Sequence, residues 1–222
     1  MILKDYSHFF NQDIIAFSTL KNNQYSSEKI LSKSLEKYNI NKIASCKQTH
    51  SDNVLFVDSE GVYSNSDGLI TAIESNVFLQ IQTADCVPIY ICDFETGLIG
   101  LIHSGWKGTY NQIIKNAINL FFEKGSLDCN IQVFLGPSIQ QCCYEIKNDV
   151  AFFFSDKYLI LKKDKIYLNL QSKIIDDLLA LNIQAGNINK IEDCTFHNNN
   201  FYSYRRDKSS GRIYSILGFI NE

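Results

Sequence analysis

The sequence has no apolar run that approaches the length of a membrane-spanning helix. Its N-terminal segment also lacks the apolar core of a signal peptide, because Lys4, Asp5 and Asp13 interrupt it. These absences argue against a membrane partner and predict a cytoplasmic protein. No internal repeat, heptad array or low-complexity linker divides the chain. We therefore expect a single layered domain over residues 1–222 with a substantial core.

The chain also lacks an excess of basic charge. The chain carries 21 Lys and Arg against 24 Asp and Glu, and no basic stripe accumulates along it. This composition argues against a nucleic-acid partner. With 45% hydrophobic and 20% charged residues, the sequence is typical of a compact enzyme or binding domain, and it leaves the oligomeric state open.

Histidine is limited to four residues, and the number of cysteines is odd. Four histidines are too few for a blue-copper centre together with a trinuclear cluster, which argues against a multicopper oxidase mechanism. Seven cysteines cannot all pair with one another, so we expect reduced thiols. The residues are His8, His50, His103 and His197, and Cys46, Cys86, Cys92, Cys129, Cys142, Cys143 and Cys194.

Helical and strand patterns alternate along the chain, but several strand patterns follow one another without a helix between them. Helical spacing of apolar residues occurs at 27–38, 113–122 and 170–181. Short runs rich in β-branched residues indicate strands at 43–46, 54–57, 69–73, 131–135 and 213–220. These patterns predict an α/β, or mixed α+β, fold in which mixed β-sheets are flanked by helices.

The segment 80–108 contains two buried strand patterns, 87–92 and 98–102, joined by the turn sequence Asp-Phe-Glu-Thr-Gly. Cys86 precedes the first strand and His103 follows the second. The start of one strand lies beside the end of its antiparallel neighbour. We therefore expect this thiol and this imidazole to meet at one edge of the sheet.

A third candidate ligand, His50, lies on a turn between the strands predicted at 43–46 and 54–57. Together with Cys86 and His103 it gives one cysteine and two histidines, which is typical of a catalytic zinc site with its fourth position open. Such a metal ionises the thiol and lowers the pKa of bound water towards about 7. Spacing alone leaves open the alternative that Cys86 is a small buried apolar residue and both histidines are structural.

Several further motifs occur in register with these residues, and together they resemble the laccase-domain family. Its members are also called purine nucleoside phosphorylases, multicopper polyphenol oxidoreductases and peptidoglycan editing factors. The motifs are Gln48-Thr49-His50, Asp67-Gly68, Thr83-Ala84-Asp85-Cys86-Val87-Pro88, His103-Ser104-Gly105-Trp106-Lys107-Gly108, Gly136-Pro137-Ser138-Ile139, Cys142-Cys143-Tyr144-Glu145, Ser203-Tyr204-Arg205-Arg206 and Gly211-Arg212.

The resemblance implies Zn²⁺ bound by His50, Cys86 and His103, in a layered fold shared with cysteine hydrolases that use a Cys/His pair. It also implies phosphorolysis of adenosine, inosine or guanosine by phosphate, and deamination of adenosine. Purine nucleosides and phosphate are thus the expected partners, and Cys86 and His103 are expected to be catalytic as well as metal ligands.

Further roles follow as hypotheses. Phosphate would be held by Lys107, Arg205 or Arg206 during attack on C1′. Asp85 would relay protons while an activated water attacks C6 of adenine, or it would instead cap a turn through backbone N–H groups. Trp106 would stack on the purine or else plug the core, and the sequence favours neither.

Three departures from the family pattern bear on anion binding. Lys107 stands where arginine is usual, which keeps the charge but loses bidentate phosphate geometry. Ser51 stands where glycine is usual, and the segment 17–23 lacks the usual arginine and glycine pair.

We interpret Arg205 and Arg206 as alternating along a strand, so that only one of the two side chains faces a pocket.

The other cysteines are assigned no chemistry. Cys142 and Cys143 lack the two-residue spacer of a zinc ribbon and are expected to pack at a helix start. Cys194 is interpreted as a buried thiol, and His197 lies in a segment with no partner cysteine at strand spacing.

Other chemistries stay open for the same central residues. A single copper ion at His50, Cys86 and His103 would suit a copper-dependent polyphenol oxidoreductase, because copper outcompetes zinc at such ligands. Cys86 as nucleophile with His103 as base would make a metal-independent amide hydrolase, a chemistry that includes peptidoglycan editing. A non-enzymatic binding protein with a structural metal is the last alternative.

Overall fold

The computed structural model describes residues 2–10, 13–208 and 211–220 and arranges them in three β-sheets with six α-helices. The strands are β1 (Leu3–Asp5), β2 (Ile14–Thr19), β3 (Ile43–Lys47), β4 (Val54–Phe56), β5 (Gly61–Ser64), β6 (Gly68–Ala72), β7 (Phe78–Thr83), β8 (Val87–Asp93), β9 (Leu98–Ser104), β10 (Gln132–Leu135), β11 (Glu145–Ile146), β12 (Leu159–Lys162), β13 (Lys165–Leu168), β14 (Ile188–Lys190) and β15 (Ile213–Phe219). The α-helices are α1 (Ser27–Lys37), α2 (Trp106–Tyr110), α3 (Ile113–Glu123), α4 (Asn148–Ala151), α5 (Leu170–Ala180) and α6 (Tyr204–Asp207).

The two larger sheets have six strands each. The first sheet has the order β1-β2-β15-β7-β3-β5, and the second has the order β14-β10-β8-β9-β6-β4. Both sheets mix the two pairing directions, since β3 lies parallel to β5 and β7, and β4 lies parallel to β6, whereas β8 and β9 are antiparallel. A small third sheet has the order β11-β13-β12. The mixed-sheet fold expected from the sequence is therefore confirmed.

The hairpin of β8 and β9 is buried on both faces. On one face, Ile89 and Ile91 pack in a cluster with apolar residues of α3 and α5. On the other face, Tyr90 and Cys92 pack in a second cluster with residues of the first sheet. Helix α1 lies against the outer face of the first sheet. The layers therefore run helices, second sheet, first sheet, helix.

The predicted hairpin and helices are present, and one prediction is wrong. Pro88 pairs with His103 across the hairpin, as expected. Arg205 and Arg206 do not lie on a strand, because Ser203 Oγ accepts a hydrogen bond from the Arg206 N–H and so starts the short helix α6. Among the described residues, no helix combines the length and apolarity needed to cross a membrane.

A buried hydrogen-bond network joins the two large sheets at Tyr90. The Tyr90 hydroxyl donates to the Phe17 carbonyl oxygen at 3.1 Å and lies 2.9 Å from Ser18 Oγ.

We expect Tyr90→Phe to lower the free energy of unfolding by about 1 kcal/mol, because these buried groups lose a partner. Urea denaturation measures the change, and Tyr110→Phe, at an exposed ring, is the matched control. Equal stability of the Tyr90 variant and the wild type would contradict a stabilising role for the network.

Candidate metal centre

Three side chains from different parts of the chain converge at the end of the β8–β9 hairpin. His50 lies between β3 and β4, Cys86 precedes β8, and His103 is the penultimate residue of β9. One ligand atom of each residue lies within 4.8 Å of those of the other two. The rings of His50 and His103 stand at 81° with centroids 4.9 Å apart. The structure thus brings together the three residues that the sequence singles out.

The carboxylate of Asp67 holds two of these residues in place. Its Oδ1 accepts a hydrogen bond from the His50 N–H at 3.0 Å and lies 2.8 Å from His103 Nδ1. Its Oδ2 accepts from the N–H groups of Thr49 and Ser51 at 3.1 and 2.7 Å, and from the Ser51 hydroxyl at 2.7 Å. Because Asp67 is fully buried, these contacts fix both a loop and an imidazole relative to one charge.

Sequence reasoning missed this role of Asp67. The pair Asp67-Gly68 carried part of the resemblance, but no function in the site was derived for it. One signal is present in the sequence, since Asp67 immediately precedes the apolar strand β6. That strand pairs with β9, and the His103 N–H donates to the Asp67 carbonyl oxygen at 2.7 Å.

The charges of the site depend on one another. Burial opposes ionisation of Asp67, but hydrogen bonds from His103 and Ser51 hold the pKa of its carboxyl well below the usual range. Burial also opposes charging of His103, but the Cys86 thiolate and Asp67 raise the pKa of His103 to about 9. Desolvation opposes ionisation of Cys86, but the charge of His103 and hydrogen bonds from His103 and His50 lower the pKa of Cys86 to about 6. At neutral pH the site without a metal therefore pairs a thiolate with an imidazolium.

The donor set fits a zinc ion. One thiolate and two imidazoles are a typical set of three protein ligands for zinc with the fourth position open, and copper accepts the same atoms. The contact between Asp67 and Nδ1 of His103 leaves Nε2 for a metal. Gly105 provides the room, because a Cβ atom there would lie 3.0 Å from Cys86 Sγ and 3.1 Å from His50 Cδ2.

The three residues open into a cleft of about 840 Å³. Residues of β3 and β7 form one side of it, and the end of the β8–β9 hairpin forms another. Three cationic side chains, Lys47, Arg205 and Arg212, also line it, together with the aromatic residues Tyr144 and Tyr204. A cleft of this size accommodates a small molecule.

Asp85 and Arg205 meet in this cleft. The Arg205 N–H donates to Asp85 Oδ2 at 2.7 Å, and the Thr195 hydroxyl donates to Asp85 Oδ1 at 2.7 Å. Asp85 has a φ of 92°, in a region that is strained for a residue with a side chain. Its carboxylate therefore accepts a backbone N–H, as the capping alternative predicted, while the proton-relay role stays a prediction. The Arg205 guanidinium lies 5.4 Å from the ring centroid of Tyr144 and donates to the Glu145 carbonyl oxygen at 2.5 Å.

Trp106 and Lys107 are not among the residues that line the cleft. Trp106 stacks on Phe153 with ring centroids 5.8 Å apart, and Lys107 is exposed. Their roles in purine stacking and phosphate binding stay predictions that the cleft does not support. The guanidinium of Arg206 is occupied by Asp207 and by backbone carbonyl oxygens.

Cys142 and Cys143 belong to a cluster that the sequence did not predict, whereas Cys194 is buried, as expected. Cys142, Cys143, Cys194 and His197 each place a ligand atom within 4.8 Å of the others. His197 therefore has cysteine neighbours in space, although it has no partner cysteine at strand spacing in the sequence. The fold brings together segments 55 residues apart, a contact that local spacing does not reveal.

Comparisons with known proteins agree on one family. A family model described as multi-copper polyphenol oxidoreductase laccase matches residues 21–220. The chain is 34% identical over 189 residues to a purine nucleoside phosphorylase of Clostridium acetobutylicum, covering 81% of this chain and 78% of that protein. It is 29% identical over 189 residues to adenosine deaminase RL5 of an unknown prokaryotic organism, covering 76% and 72%. The crystal structure of hypothetical protein YfiH of Bacillus licheniformis matches with a TM-score of 0.85 and 25% identity, over 93% of this chain and 92% of that one.

Replacing Asp67 tests its central role. Asp67→Asn keeps the size of the side chain but removes the charged acceptor, so we expect the free energy of unfolding at pH 7 to fall by about 3 kcal/mol. We expect Zn²⁺ affinity to fall about 10–100-fold, as is typical for partners of metal ligands. Urea denaturation and zinc titration measure the two effects.

The stability effect of Asp67→Asn also depends on pH. Folding lowers the pKa of Asp67, so its contribution is present above the unfolded-state pKa of about 4 and is lost as the pH falls below it. The stability difference between wild type and variant is therefore expected to shrink in acid. Asp58→Asn, at an exposed carboxylate, is the control. A difference that stays constant from neutral to acid pH would contradict the charged role of Asp67.

Alkylation of metal-free protein measures the acidity of Cys86. The thiolate is the reactive form, so the rate of iodoacetamide labelling at Cys86, followed by mass spectrometry, should rise through pH values of about 6 and then level off. In His103→Gln the rise is expected at higher pH, because the stabilising charge is gone. A wild-type rate that still rises at about pH 8.5, as for an unperturbed thiol, would refute the ion pair.

Proposed function

The chain belongs to the multi-copper polyphenol oxidoreductase laccase family, and from that premise we propose that it is a zinc-dependent purine nucleoside phosphorylase that also deaminates adenosine. One observation carries the proposal: one cysteine and two histidines converge in the wall of a cleft of about 840 Å³. The relatives named purine nucleoside phosphorylase and adenosine deaminase support the substrate class.

The side chains of the cleft hold the substrates. Zn²⁺, when bound, supplies a Lewis acid and activates water. Arg205 binds phosphate in this proposal, and Lys107 does not, because Arg205 lines the cleft and Lys107 lies outside it. A phosphate oxygen forms a bond to C1′ while the bond from C1′ to the purine nitrogen breaks, and the purine leaves with the electron pair and takes up a proton.

Protons are handled by the residues around Cys86. Asp67 keeps a proton on Nδ1 of His103, which leaves Nε2 directed away from that carboxylate. Asp85 lines the cleft beside Cys86 and relays protons during deamination, with the Thr195 hydroxyl as its hydrogen-bond partner.

All seven cysteines carry free thiols, which supports a cytoplasmic location for this chemistry. Thiols stay reduced in that compartment. The proposed ligand Cys86 is active only as a thiolate, so the location and the chemistry are consistent.

A metal-independent cysteine hydrolase is the second candidate. A ligand atom of Cys86 and one of His103 lie within 4.8 Å of each other, and Asp67 orients the imidazole, an arrangement that suits a nucleophile and its base. Such an enzyme would cleave an amide, for example in a cell-wall precursor. This candidate requires activity in the absence of metal and loss of that activity when Cys86 is alkylated.

The proposed function is tested by incubating the purified protein with adenosine, with and without phosphate, and resolving the products by chromatography. We expect adenine and ribose 1-phosphate only with phosphate, and inosine in both cases. His50→Ala and Cys86→Ala should each reduce both activities about 100-fold or more, because even outer contacts of a metal contribute about 10–100-fold.

His8→Ala and Cys129→Ala are the matched controls, because both residues are exposed and lie outside the cleft. Full turnover in either His50→Ala or Cys86→Ala would overturn the zinc-dependent mechanism. Amide hydrolysis that survives chelation but not iodoacetamide, with no turnover of nucleosides, would favour the second candidate.

A further inference from the structure

A second set of metal-binding side chains lies outside the candidate metal centre. We name Cys142, Cys143, Cys194 and His197 the cysteine–histidine cluster. Cys142 Sγ lies 3.5 Å from Cys143 Sγ and 3.8 Å from His197 Nδ1, and Cys143 Sγ lies 3.2 Å from His197 Nε2. Cys194 is buried, whereas Cys142 and His197 are exposed. The cluster therefore extends from the protein interior to the solvent.

Backbone contacts hold the two segments of the cluster together. Ser138 and Cys194 form a parallel β-bridge. The Cys143 N–H donates to the Gln140 carbonyl oxygen at 2.9 Å, and the His197 N–H donates to the Cys194 carbonyl oxygen at 3.1 Å. Backbone hydrogen bonds close both turns, and the Gln140 N–H also donates to Cys194 Sγ at 3.5 Å. The ligands are therefore assembled before an ion binds, which reduces the entropic cost of binding.

The spacing of the ligand atoms matches a tetrahedral zinc ion. Zinc binds sulfur at about 2.3 Å and nitrogen at about 2.0 Å, so neighbouring ligand atoms in a tetrahedron lie roughly 3.5 to 3.8 Å apart. Cys142 Sγ and Cys143 Sγ lie 3.5 Å apart, and His197 Nδ1 lies 3.8 Å from the first and 3.7 Å from the second. Cys194 offers a ligand atom within 4.8 Å of those of the other three residues. Three thiolates and one imidazole also fill all four positions, which is typical of a structural site.

We propose that the cysteine–histidine cluster binds one Zn²⁺ ion as a structural site. Three thiols give up their protons to the solvent as the thiolates bind the ion, and no electrons are exchanged. A surface pocket of about 590 Å³, lined in part by Cys142, Cys194 and His197, gives the ion its path of entry.

A zinc ion in the cysteine–histidine cluster would stabilise the cleft without lying in it. It joins the segment that contains Tyr144 to the segment that contains Thr195. Tyr144 lines the cleft, and the Thr195 hydroxyl donates to Asp85 at 2.7 Å. The cluster therefore fixes Tyr144 relative to the hydrogen-bond partner of Asp85, without contributing a ligand to the candidate metal centre.

Zinc content separates the two sites. The Cys86→Ser variant, saturated with zinc and then desalted, is expected to retain one equivalent of zinc by elemental analysis. Adding Cys142→Ser or His197→Ala to that background should remove this equivalent, and adding Cys129→Ser, at an exposed cysteine outside the cluster, should not. Cobalt in place of zinc should give thiolate-to-cobalt charge-transfer absorption in Cys86→Ser that is weaker in the Cys142 double variant.

The test stays informative whatever the outcome for the nucleoside reactions, because the Cys86→Ser background has already lost the first site. Cys142 and His197 are exposed, so their variants should fold, and circular dichroism checks this. A folded Cys86→Ser protein that retains no zinc and shows no charge-transfer band would overturn the proposal. Retention of Cu⁺ with exclusion of Zn²⁺ would overturn the assignment to zinc.

Discussion

The buried carboxylate of Asp67 makes the interactions on which the geometry of the candidate metal centre depends. A carboxylate without partners is too costly to bury, and here backbone N–H groups, a hydroxyl and an imidazole surround it. His50 has a φ of 60°, and the neighbouring N–H groups turn towards the same anion. The position of His50 therefore depends on a charge located 17 residues further along the chain.

Residues of both large sheets line the cleft. Gln48 links the loop of His50 to the first sheet, since its side chain donates to the Gln82 carbonyl oxygen and accepts from the Gln82 N–H, both at 2.8 Å. The Gln48 side chain thus makes the pair of backbone hydrogen bonds that a neighbouring strand would make at the end of β7. The loop is thus held by the first sheet through Gln48 and by the second sheet through Asp67.

The parts of the site that follow from strand pairing were predictable from the sequence. Cys86 and His103 flank a hairpin, and the register of a hairpin with buried faces is strongly specified. Asp67 and the cysteine–histidine cluster were not predictable in this way, because they depend on turns and on contacts between distant segments. The pair Arg205 and Arg206 shows the limit at short range, since the capping bond from Ser203 decides between strand and helix within four residues.

Asp85, with its strained backbone, connects the position of Cys86 to a distant part of the chain. Asp85 is covalently attached to Cys86, yet its carboxylate is bound by groups 110 and 120 residues away along the chain. Asp85 therefore joins the backbone at Cys86 directly to the segment that contains Thr195 and Arg205. One carboxylate thus anchors the C-terminal wall of the cleft to the residue that follows it in sequence, without a ligand atom of its own at the candidate metal centre.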